Sequence, residues 1–153
     1  MTLTLRRATP EDLPAMMPLM ERFNDAEHIP WEEARFERGM GKVLATPSLG
    51  FVLVALDGAQ RLAGYTLCTF GYDLEFEGRD AYITELYIEP HARRLGLGRT
   101  LLREACAQAR FEGAHAVHLM VTLNNAPAVG LYQSEGFRFE PRHMMTLLLH
   151  KQD

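Results

Sequence analysis

The residues best suited to chemistry in this 153-residue chain gather in Tyr82–Leu102, YITELYIEPHARRLGLGRTLL. The stretch reads as a buried strand, a short basic turn holding Gly96 and Gly98, and the first turns of an amphipathic helix. Where a strand delivers a glycine turn onto a helix N-terminus, unpaired backbone N–H groups and the positive end of the helix dipole converge and make an anion site. Arg93, Arg94 and Arg99 form a basic island there, within a chain of formal net charge −4. A cofactor's pyrophosphate is the anion this loop suits; a tight turn with no ligand is the competing explanation. A dinucleotide fingerprint does not fit, because Leu101 stands where the third glycine belongs and an antiparallel meander precedes the loop. No Gly-Lys-Ser/Thr follows, so a nucleoside-triphosphate loop is excluded.

Hydrophobic period defines the elements that must position this loop. Residues 2–8 alternate as a strand, and Thr9-Pro10-Glu11-Asp12 supplies an N-cap, an early proline and early acids. A helix follows with Leu13, Met16, Met17, Met20 and Phe23 inward, bent by Pro14 and Pro18. The three methionines are expected as core filler. Trp31–Ala45 predicts a second helix, loosened by Gly39 and Gly41 in a way that suits the border of a cleft. From Gly50 the period falls to two, and GFVLVAL, RLAGYTLCTFGY and AYITELYIEP predict an antiparallel meander. A helix over 96–112 stops at Gly113, and 116–123 returns as a strand parallel to 82–88. Asn125 caps a last helix ending at Gly136, and RHMMTLLLH is expected to close the sheet. The expected fold is α/β: a mixed, mostly antiparallel sheet of six to seven strands flanked by about four helices, in one domain spanning 1–153.

Two linked motifs give this order a family. Arg93-Arg94-Leu95-Gly96-Leu97-Gly98, after a strand ending in hydrophobic-x-Pro, resembles the acyl-CoA loop of the GNAT superfamily of N-acetyltransferases. Downstream, Asn125-Ala126-Pro127-Ala128-Val129-Gly130-Leu131-Tyr132-Gln133-Ser134-Glu135-Gly136-Phe137 is similar to that family's N-x-x-A-x-x-x-Y-x-x-x-G-F helix. The resemblance covers residues 50–149 well and the N-terminal helices loosely. Arg94 departs from it, standing where the family usually has glycine; a side chain is tolerable there at negative φ, and its guanidinium could add a phosphate contact.

The resemblance implies transfer of an acetyl group from acetyl-CoA to a primary amine in a ternary complex. It places the pantetheine arm between a splayed parallel pair, against backbone of Leu86, Tyr87 and Ile88, with a backbone N–H there available to an oxyanion. It places the pyrophosphate at Arg93, Arg94, Leu95, Gly96, Leu97, Gly98 and Arg99, with Asn125, Ala128 and Tyr132 on the other side. An alkylammonium with a pKa of about 10.4 needs a base, and Glu85 is the best-placed carboxylate. Strand alternation, however, sets Tyr82 and Thr84 opposite Glu85, so either a bulge turns Glu85 inward or Tyr82 and waters relay the proton. Tyr132 holds the family's general-acid position and would protonate or hold the departing thiolate. Asp73, Glu75, Glu77 and Asp80, with Glu27, Glu32 and Glu33, border the acceptor cleft of this fold and favour a small cation such as a polyamine or diamine. A protein N-terminus or lysine, or a non-catalytic acyl-CoA sensor, are the alternatives.

Composition narrows the rest. A 47% hydrophobic, 24% charged chain is an ordinary globular one, and no run approaches the ~18 apolar residues of a membrane span. No signal-peptide pattern opens it, so cytoplasm is the default and no membrane partner is expected. An acidic balance argues against nucleic acid, and a homodimer is left open. Cys68 and Cys106 lack any metal or disulfide spacing and are expected as buried thiols. The six histidines lack ligand spacing, His115 and His118 falling on opposite strand faces, so no metal is expected.

Overall fold

A computed structural model describes residues 3–150. The chain divides into two compact units between Met120 and Val121.

The first unit opens with β1 (Thr4–Arg7), after which the Thr9 N–H donates to Asp12 Oδ2 at 2.7 Å and closes the entry to a helical segment. The Arg6 guanidinium also grips Asp12 and holds its carboxyl down at about 2. Two helices follow, α1 (Leu13–Ala26) and α2 (Glu33–Ala45). The meander β2 (Gly50–Leu56), β3 (Leu62–Asp73) and β4 (Gly78–Ile88) comes next, then α3 (Leu97–Phe111) and the short β5 (Val117–Leu119). The sheet runs in sequence order from β1 to β5, antiparallel throughout except for the parallel β4–β5 pair that the α3 crossover requires.

Alternation divides the sheet residues between two helical layers. Met16, Met20 and Met40 of α1 and α2 pack with Val52, Val54, Tyr65, Leu67 and Tyr87 on one face. Met16, Met17 and Met20 are core residues, as their spacing predicts. On α3 a stripe of Leu97, Leu101, Leu102, Ala105 and Ala109 is buried, and the opposite sheet face carries Phe51, Cys68, Ala81 and Ile83. Cys68 is fully buried and its thiol is pushed up to about 12, chiefly by burial, whereas Cys106 is only half-buried.

The second unit holds α4 (Ala126–Ser134), capped where Asn125 Oδ1 accepts from the Ala128 N–H at 3.4 Å. Gly136 ends this segment at φ +97°, a left-handed position that glycine takes without strain.

The sheet has five strands among the described residues, not six to seven. The difference lies in RHMMTLLLH, where residues 142–150 form no strand. Period-two apolarity specifies a strand only when a neighbour takes its N–H and C=O groups. Leu147, Leu148 and Leu149 do not alternate, and all three are exposed.

Candidate active site

The site is built around an irregularity in β4. Glu85 pairs with Leu67, but the next ladder partner, Cys68, pairs with Ile83, so Thr84 is an extra residue opposite no one. This is a β-bulge, and it resets the alternation of the strand. Paired residues project to the same face, so Ile83 follows Cys68 toward α3 while Glu85 follows Leu67 toward α1 and α2. Tyr82, opposite Thr69, lies on the same face as Leu67 and therefore as Glu85. Strict alternation, which sets Tyr82 opposite Glu85, is thus corrected by the inserted Thr84. Its hydroxyl reaches the Leu67 carbonyl at 3.4 Å and closes over the kink.

Glu85 enters an apolar layer with one partner built for it. The Tyr65 hydroxyl donates to Glu85 Oε1 at 2.8 Å, from a tyrosine that is 0% exposed. Burial pushes the Glu85 carboxyl above the usual glutamate value, and the Tyr65 hydrogen bond pulls it part of the way back. Burial and the adjacent Glu85 charge push the Tyr65 phenol far up, so it stays a donor. A carboxyl whose proton affinity is raised by burial and which a hydrogen bond orients suits the task of a general base for an amine.

Beyond the bulge β4 loses one neighbour. β5 pairs with Ala81, Tyr82 and Ile83, so among the described residues the same edge of Glu85–Ile88 has no strand partner. A bare edge inside an α/β fold suits an extended ligand with its own amide groups. Leu86, Tyr87 and Ile88 all lie on it, although the Ile88 carbonyl already accepts from Arg93 Nε at 2.9 Å. The Arg93 guanidinium also lies over the Tyr87 ring at 5.7 Å, so part of the basic island ties the strand end to its loop.

The loop itself leaves donors unspent. Its first helical hydrogen bond runs from Thr100 N–H to Gly96 O at 3.0 Å, which leaves the N–H groups of Leu97 and Gly98 without an intrahelical acceptor. Gly96 caps the helix at φ +75° with no side-chain cap, and Arg94 takes φ +65°. The condition of negative φ, under which a side chain at Arg94 is unstrained, is therefore not met. Left-handed Gly96 followed by helical Leu97 turns successive N–H groups to one side, the geometry of an anion nest, and Arg94 takes a glycine's conformation despite its Cβ. The cradle and the bare strand edge fit a thioester cofactor carrying amides and a pyrophosphate.

In the second unit Asn125 caps α4, Ala128 supplies the N–H it accepts, and the Tyr132 ring lies 6.0 Å from Phe137. The Phe137 N–H donates to the Tyr132 carbonyl at 3.0 Å, so the Y-x-x-x-G-F segment forms one local turn.

Comparison with known proteins decides the family. Residues 15–137 match the acetyltransferase (GNAT) family. The chain belongs to it. A putative ribosomal protein bS18-alanine N-acetyltransferase of Bacillus subtilis strain 168 is 30% identical over 127 residues, 76% of this chain and 77% of that one. An L-methionine sulfoximine/L-methionine sulfone acetyltransferase of Pseudomonas paraeruginosa is 29% identical, over 90% of this chain and 81% of that one. Among solved structures, a predicted acetyltransferase with acetyl-CoA from Clostridium acetobutylicum shares the fold at a TM-score of 0.81, with 21% identity and 97% of each chain covered.

This protein is an acetyl-CoA-dependent N-acetyltransferase of the GNAT family, and the acidic residues expected at its acceptor cleft fall into two groups. Glu27, Glu32 and Glu33 are exposed around the α1–α2 connection, beside the stacked pair Trp31 and Phe36 that packs on the core of the Glu85 face. The hairpin acids are partly spent inside the acetyltransferase. Asp73 accepts from the Glu75 N–H at 2.9 Å, and Asp80 is 1% exposed with His118 Nε2 3.0 Å from its Oδ2. Asp80 is thus not part of a carboxylate-rich mouth. Two functional-looking features escaped the sequence reading. Tyr65 was legible only as a lone phenol in an apolar strand, and the Asp80–His118 pair depended on knowing the parallel register.

Proposed function

We propose that the protein, a single N-acetyltransferase domain over 1–153, acetylates the primary amine of a small cationic molecule of polyamine or diamine kind. The observation that carries this reading is Glu85, turned by the Thr84 bulge onto the face of Tyr82 and held there by Tyr65. Glu85 takes the proton of the bound ammonium, and the bare edge of Leu86–Ile88 aligns the thioester arm. The N–H groups at 94–99, with Arg94 and Arg99, hold the pyrophosphate, while Arg93 braces the strand end. Asn125, Ala128 and Tyr132, at the positions of the family's N-x-x-A-x-x-x-Y motif, serve the cofactor, Tyr132 protonating or holding the departing thiolate. Acetyl-CoA and the amine are the partners, in the cytoplasm.

The exposed Glu27, Glu32 and Glu33 favour a cationic acceptor through long-range attraction. A second reading, acetylation of an N-terminal alanine of a protein, is favoured by the printed activity of the Bacillus relative. Thiol release from acetyl-CoA with spermidine, an alanine-initiated peptide and methionine sulfone separates them. Spermidine is expected to give the highest kcat/KM; preference for the peptide would replace the first reading by the second. Acetyl-CoA binding without turnover on any of the three would leave a sensor.

A further inference from the structure

The Asp80–His118 pair stands in line with Glu85. Glu85 and Tyr82 lie opposite Leu67 and Thr69, two residues apart on β3, so they are neighbours along one face. Tyr82 is opposite His118 across the parallel pair, and their ring centroids are 4.8 Å apart. Behind His118 lies Asp80, whose Oδ1 is buried without a hydrogen-bond partner against Gly71, where even an added Cβ would come within 2.6 Å. The ring of Phe76 walls His118 edge-on at 4.7 Å. An imidazole facing a buried carboxylate through Nε2 carries its proton there and leaves Nδ1 as the acceptor. The His118 side chain is 25% exposed, while the Asp80 side chain behind it is 1% exposed.

The reaction itself produces a proton to dispose of. An ammonium and acetyl-CoA give an amide and the CoA thiol: one N–C bond forms, the C–S bond breaks, and two N–H protons leave. One goes to the thiolate and one is released. Glu85 must be emptied of it before the next turnover.

We propose that His118, oriented by Asp80, receives this proton from the Glu85 end through the Tyr82 hydroxyl and water, and delivers it to solvent. Tyr82 accepts one proton as it passes on its own, so it ends each cycle unchanged. The proposal rests on the amine-acceptor reading above. The charged and titratable groups around His118 are Asp80 and Tyr82 on β4, with Asp73 at the end of β3 acting on Tyr82; Glu77 stands 3.9 Å from His115 instead.

The test uses the full chain with acetyl-CoA and the same three acceptors, comparing His118→Gln and Asp80→Asn with the parent protein. Both variants are expected to lose roughly tenfold in kcat/KM near pH 6.5, to converge on the parent near pH 9, and to keep the KM for acetyl-CoA. Added imidazole should restore His118→Gln. A loss uniform across pH and unrelieved by imidazole, or no loss, overturns the proposal. If the parent releases no thiol with any acceptor, the acceptor reading has failed on its own, and 15N-histidine NMR decides the pair: an Nε2–H tautomer at His118 supports it, an Nδ1–H tautomer overturns it.

Discussion

From Gly78 to Ile83, β4 has β3 on one edge and, at Ala81–Ile83, β5 on the other; from Glu85 to Ile88 it has β3 alone among the described strands. The first half carries Asp80, closed off with His118, and the second carries Glu85, raised by burial and served by Tyr65. Thr84 separates the halves and makes them different. Were Thr84 paired in a regular ladder and not bulged out, Glu85 would follow Ile83 onto the α3 face, away from Tyr65. One bulged residue thus joins a closed half-strand to the half that the proposed chemistry uses.

Deleting Thr84 breaks the comparison most severely. It closes the ladder with Ile83 still opposite Cys68 and Glu85 still opposite Leu67, so Glu85 and the buried Tyr87 should keep their face while the bend at the end of the β4–β5 pairing is lost; turnover should be abolished with the fold retained in chemical denaturation. Thr84→Ala keeps the residue count and removes only a 3.4 Å hydrogen bond, so it should cost under about 1 kcal/mol. Equal effects would place the importance in the hydroxyl and not in the bulge.

Glu85→Gln tests the reactive half alone. It should lower kcat by about 10²–10⁴-fold at unchanged fold, the usual contribution of a general base. Its effect on stability has a definite sign. Because burial raises the carboxyl's folded-state value, the folded protein binds more protons than the unfolded chain between the ordinary glutamate value and the raised one, and stability falls as pH rises through that window. The glutamine variant escapes this cost, so its Tm should exceed the parent's near pH 7 and not near pH 4. A lower Tm near pH 7 would mean that the charge stabilises the fold.

The smallest effect belongs to the loop. Arg94→Gly at φ +65° should stabilise the fold by ~1 kcal/mol, measured by thermal or chemical unfolding, since glycine takes that conformation without the Cβ penalty.

Much of this was legible in the residues. The apolar period of Met16, Met17 and Met20, the cap at Asn125 and the stops at Gly113 and Gly136 each state a local rule that the fold obeys. The glycine loop and the order of elements pointed to the right family, which the match over residues 15–137 bears out. What stayed hidden was register. The bulge at Thr84 is a property of pairing with β3, so neither the direction of Glu85 nor its bond to Tyr65, twenty residues away in sequence, follows from the spacing in β4. The Asp80–His118 pair is hidden for the same reason, at a separation of 38 residues. The last strand was over-read because apolarity in RHMMTLLLH says nothing about a partner.

The account turns on the charge state of Glu85, and a pH titration of its side-chain carboxyl carbon by NMR, with Glu85→Gln assigning the signal, measures it directly. The midpoint should lie above the ordinary value of about 4.3 and rise further in Tyr65→Phe, where the hydrogen bond that lowers it is gone. A midpoint at or below about 4.3, or one that falls in Tyr65→Phe, would contradict the reading of Glu85 as a half-buried base held by Tyr65.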